Sequence, residues 1–129
     1  MKAIILFILG AAVLLTACSK ISSQARKIAG DYYNPELSDT LPIYELKKDG
    51  TCVVRNILPE VLTMEVQGSW DVRNDSLIII NDLSSVHCAG DTSLIGNVAP
   101  VMSRQLLDFD KSSITLGKEG VAYRYEKKH

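Results

Sequence analysis

The sequence predicts an all-β domain, a small antiparallel up-and-down barrel of about eight strands, and three observations carry that reading. Met64, Val66, Gly68, Trp70 and Val72 alternate with Glu65, Gln67, Ser69 and Asp71, the period of a strand with one dry and one wet face. Asn74-Asp75 follows as a two-residue turn of types that tolerate positive φ. A hairpin closed there sets Val72 opposite Leu77 and Trp70 opposite Ile79, so the apolar residues of both strands share a face. Finally, no segment has a convincing helical period, and about eight short runs of strand character follow one another. A flat meander of that length would expose long edges, which closure removes. A two-sheet sandwich is the alternative.

The first residues lie outside this pattern. Lys2 precedes an apolar run from Ala3 to Leu15, the layout of a secretory signal peptide. The run is shorter than the roughly 20 residues a spanning helix needs. It ends in Leu15-Thr16-Ala17-Cys18, which resembles a bacterial lipobox. That resemblance implies cleavage after residue 17 and acylation of Cys18. Two or more acyl chains hold a protein stably on a membrane, whereas one does not. Residues 18–27 read as the lipidated N-terminus and a polar tether, and 28–129 as the folded domain. That length suits one domain. With 14 basic and 15 acidic residues and no basic cluster, the composition argues against nucleic acid as a partner.

The strands follow in order. Ile28 to Tyr33 is the first, with Ile28, Gly30 and Tyr32 on one face. Asn34 to Pro42 is a loop rich in turn formers. Ile43 to Lys47 and Thr51 to Ile57 flank the Lys48-Asp49-Gly50 turn. Leu58-Pro59-Glu60 leads into the central hairpin. Asn81 to about Val98 is the least regular part, and a connection so long is either functional or mobile. Pro100 to Phe109 resumes a strand. Asp110 to Ser113 turns, Ile114 and Leu116 share a face, and Gly117 to Gly120 turns again. Val121, Tyr123 and Tyr125 alternate with polar residues. Four-residue loops would pair Phe109 with Ile114 and Leu116 with Val121.

Ile-Ala-Gly-Asp-Tyr near the start resembles the Gly-x-Trp signature of lipocalin-like domains, with Tyr32 in place of Trp. Leu46 to Thr51, Gly68-Ser69-Trp70, Asp75 to Ile78 and the closing tyrosine strand are similar to the small lipocalin-like (calycin-type) lipoproteins of Gram-negative bacteria. The resemblance spans about Ile28 to Glu126. It implies a barrel on a lipid anchor. Ser19 follows Cys18, and no acidic residue is near. Among sorted lipoproteins that implies the outer membrane, facing the periplasm.

A search for catalytic chemistry finds little. His87 is the sole internal histidine and has no partner at metal-ligand spacing. No Gly-x-Ser-x-Gly elbow or phosphate-binding loop is present, and Asp108 and Asp110 read as solvated neighbours of Phe109. No metal, cofactor or enzymatic activity is expected. Cys52 and Cys88 remain after Cys18 is assigned to lipid. Export allows a disulfide between them, contributing about 3–4 kcal/mol in the chain-entropy model; two separate thiols are the alternative. The expected inward face is Tyr32, Tyr44, Met64, Val66, Trp70, Ile79, Leu107, Phe109, Tyr123 and Tyr125. It forms either an apolar pocket with phenol groups that orient a ligand or a packed interior. Two functions follow: binding of a small apolar ligand, or a protein-interaction module, such as an envelope hydrolase inhibitor, acting through the rim loops Asn34–Pro42 and Asn81–Val98.

Overall fold

A computed structural model describes residues 21–127. The expected signal peptide and lipobox with Cys18, and the final Lys128-His129, lie outside the described residues. Among the described residues nine strands occur: β1 Gly30–Tyr33, β2 Tyr44–Leu46, β3 Thr51–Leu58, β4 Leu62–Arg73, β5 Ser76–Asn81, β6 His87–Gly90, β7 Val101–Phe109, β8 Ser113–Lys118 and β9 Val121–Lys127. Eight of them close into an antiparallel barrel in the order β3-β2-β1-β9-β8-β7-β5-β4, with β4 pairing back to β3; β6 is an addition at the outer end of β4.

The central hairpin has the register that its alternation predicts. Val72 lies opposite Leu77 and Trp70 opposite Ile79. Asn74 and Asp75 adopt φ of 51° and 58°, as a type I′ turn requires. Gly68 lies opposite Asn81, and a Cβ there would stand 2.1 Å from the Ile80 carbonyl oxygen. The close approach of β5 to β4 therefore depends on a residue without a side chain.

The expected tether is a correction. Ser23–Ile28 forms a short helix, α1, with Ser22 as its N-cap. Ser22 Oγ accepts from the Ala25 amide at 3.1 Å and donates to the Val72 carbonyl at 3.0 Å, while the Ser22 amide donates to Asp71 Oδ1 at 3.0 Å. Ile21, Ala25 and Ile28 are buried in the main core. Ala25 and Ile28, three residues apart, share the inner face of the helix, and Ile21 precedes its N-cap. The helix caps the barrel end that carries the β4–β5 turn, and Ile28 belongs to it and not to β1.

Three further corrections concern register. Asn81–Val98 is not irregular throughout: β6 pairs with β4, Met64 opposite Cys88 and Leu62 opposite Gly90. It shows no alternation because none of its residues is buried. The β8–β9 loop is two residues long, with Lys118 opposite Val121 and Leu116 opposite Tyr123. Glu119 and Gly120 both have positive φ, 51° and 80°, and a two-residue turn needs that. Phe109 does pair with Ile114, but a bulge lies between Leu106 and Asp108. The extra residue puts Leu106 inside and leaves Leu107 48% exposed, packed over Gly117.

Cys52 and Cys88 are free thiols. Cys52 lies opposite Gly68, whereas Cys88 lies opposite Met64 on the far side of β4. Two strand spacings amount to about 10 Å, beyond the ~7 Å limit between disulfide-bonded Cα atoms. Past Asn81 the chain continues along β4, away from Cys52, and does not turn back before Cys88.

With one closed sheet, one end capped by α1 and one continuous core, residues 21–127 meet the requirements of an autonomously folding domain.

Candidate functional site

The two barrel ends differ. At the α1 end, Tyr32, Leu46, Trp70, Val72, Leu77, Ile79, Ile114 and Leu116 are buried together. The polar atoms of the two aromatics are satisfied by backbone: Tyr32 Oη donates to the Ile28 carbonyl at 2.5 Å, and Trp70 Nε1 to the Lys47 carbonyl at 2.8 Å. Tyr32, Trp70 and Ile79 therefore fill the barrel at this end and are not among the residues that line the cavity of the open end.

The opposite end is open. A cavity of about 550 Å³ lies between the β1–β2 loop, the ends of β3 and β4, the segment 97–99 and the β8–β9 turn. Val54, Met64, Val66 and Met102 give it apolar walls, and Tyr44, Tyr123 and Tyr125 supply phenol groups. Both expected rim loops reach it, through Asn34 and Leu37 on one side and Asn81, Asn97 and Val98 on the other. Asn81 Nδ2 donates to the Ala99 carbonyl at 2.9 Å, which ties the returning chain to β5. Its Oδ1 is buried and has no protein partner.

Tyr44 and Tyr125 meet edge to face, with ring centroids 5.1 Å apart and planes at 86°. Burial holds the Tyr44 phenol well above its ordinary pKa, and Tyr125 adds to the shift, while the Arg104 guanidinium pulls the other way. Burial also raises Tyr125, against the Tyr44 hydrogen bond and Arg104. Both hydroxyls are thus neutral at physiological pH; Tyr44 donates to Tyr125, whose own proton stays available.

Of the ten residues expected to face inward, five line this cavity: Tyr44, Met64, Val66, Tyr123 and Tyr125. Three belong to the closed end. Leu107 is outside because of the bulge, and Phe109, at the end of β7, is 38% exposed. Sequence reasoning missed Val54, Met102, Arg104 and Lys118, all of which line the cavity. For the cations a signal existed. Arg104 lies two residues from both Met102 and the buried Leu106, and Lys118 two residues past the buried Leu116; alternation puts such residues on the inner face.

A second depression, also about 550 Å³, runs over the outer face beside Gly68, lined by Thr51, Val53, Gln67, Ser69 and Asp82. Among the described residues no group of three or more His, Cys, Asp and Glu is placed to hold a metal ion. His87 and Cys88 lie on β6, opposite Glu65 and Met64, and neither lines the cavity.

These strands form a closed eight-strand antiparallel barrel with one plugged and one open end. Structure comparison agrees. The chain has a lipocalin-like fold: it is similar to a lipocalin-like protein from Bacteroides uniformis ATCC 8492, with a TM-score of 0.52 and 19% identity, covering 78% of this chain and 98% of that one. No protein-family model and no curated protein matches the sequence.

Proposed function

We propose that this protein is a lipid-anchored binding protein of the cell envelope that holds a small, largely apolar molecule in the open end of its barrel and performs no catalysis. The cavity of about 550 Å³ with its apolar walls carries this reading, being within the 300–1,000 Å³ of common ligand sites. Anchoring through acylated Cys18, and an outer-membrane position facing the periplasm, rest on the lipobox and on Ser19 after it.

Titration of the domain with the neutral fluorophore N-phenyl-1-naphthylamine tests it. The expected result is a saturable, blue-shifted emission that Met64→Trp, which fills the mouth, abolishes. Emission that rises linearly without saturation in the wild type would sink the reading.

A second reading, a protein-interaction module, is favoured by the 81–98 segment. Strand β6 pairs on one edge only, and Leu83 and Leu94 beside it are exposed. An unpaired edge is a template for a partner's strand. A partner that protects the β6 amides from hydrogen exchange, without displacing the fluorophore, would support this second function.

A further inference from the structure

Resting on the reading of the open barrel end as a ligand site, we propose that the ligand is a single-chain amphiphile with an anionic head, bound head-first to Arg104 and Lys118. The two cations stand on neighbouring strands. Gln105 lies opposite Gly117 in the β7–β8 ladder, so Arg104 and Lys118 fall at facing positions on the inner side. Both line the cavity, and no Asp or Glu does. Among the described residues, neither forms an ion pair. Arg104 Nη1 donates only to the neighbouring Ser103 carbonyl, at 2.9 Å. The third cation of the lining, Arg55, is committed to Glu45 and Glu65.

A half-buried guanidinium without a carboxylate lacks the compensation that sequestered charge requires. Its field already reaches the Tyr44 and Tyr125 hydroxyls. Guanidinium, ammonium and the Tyr125 phenol, which accepts from Tyr44 and keeps its own proton, are all donors, so together they suit a group that only accepts. A carboxylate or phosphate does so with charge-assisted hydrogen bonds, and Arg favours either in bidentate form. The apolar chain then lies against Val54, Val66, Met64 and Met102.

Displacement of the neutral fluorophore by dodecanoate, dodecyl phosphate and dodecanol, each below its micelle concentration, tests the proposal. At least one anion should displace at about tenfold lower concentration than the alcohol, and the stronger of the two identifies the head. In Arg104→Gln the ratio should fall to about threefold or less, with Arg104→Lys intermediate. Arg73→Gln, an exposed cation at the closed end, should keep the wild-type ratio. If Arg104→Gln does not fold, Lys118→Gln provides the same comparison. Equal displacement by anions and alcohol in the wild type overturns the proposal and leaves the cavity reading intact. Absence of binding by the fluorophore and by all three amphiphiles overturns both.

Discussion

Trp70 is 3% exposed and its indole nitrogen is satisfied by the Lys47 carbonyl. Its emission should be blue-shifted and poorly quenched by iodide, and Trp70→Ala should cost about 3–5 kcal/mol in urea unfolding. A red-shifted, readily quenched native protein would contradict the packing. Cys52 is as deeply placed, and burial raises its thiol from 9.0 to about 11. The neutral form is the one the fold prefers, so its contribution is complete below pH 9 and is lost as pH rises toward 11. That loss is about 2–3 kcal/mol, and the buried Tyr32 and Tyr44 phenols act in the same direction at higher pH. Stability measured from pH 8 to 11 should therefore decline less steeply in Cys52→Ala. Iodoacetamide at pH 8 should label the half-buried Cys88 in the native domain and Cys52 only after unfolding. Two protected thiols released by reductant would restore the disulfide.

At the scale of elements, legibility followed burial contrast. The β4–β5 hairpin could be read because one face is dry, the other wet, and the turn residues accept the φ values that they adopt. Strand β6 could not, since none of its residues is buried and no alternation marks it. Helix α1 is only six residues long, and its buried Ala25 and Ile28 are too few to stand out from a polar stretch. The Leu106–Asp108 bulge shifted the pattern by one residue, which exchanged Leu107 for Leu106 in the interior. Arg104 and Lys118 went unread because an inward cation breaks the apolar pattern that identifies a core, and such breaks gather at binding sites. Gly68 tests the closure itself. A Cβ at that position meets backbone, not a movable side chain, so Gly68→Ala should cost about 1–3 kcal/mol and weaken amide protection along β5. An alanine variant of unchanged stability would show that β5 does not approach β4 so closely.

The whole molecule is a barrel plugged at one end by its own N-terminal helix and open at the other. The stretch that leads to the expected lipid joins the plugged end, so an anchored domain would present its open end away from the attachment point. Cys18→Ala in cells should leave an unprocessed precursor that takes up no fatty-acid label; equal labelling of wild type and variant would remove the anchor from the account. The central claim, that the open end is a ligand site, has two built-in reporters. Apart from Met1, the chain has two methionines, Met64 and Met102, and both line the cavity. Methyl NMR of the methionine-labelled domain, titrated with N-phenyl-1-naphthylamine, reads them directly. Both methyl signals should shift saturably, with ring-current displacements, while the Val72 and Leu77 methyls at the plugged end, observed in a valine- and leucine-labelled sample, stay in place. Saturable binding that leaves both methionine signals unmoved would put the site elsewhere and contradict the claim.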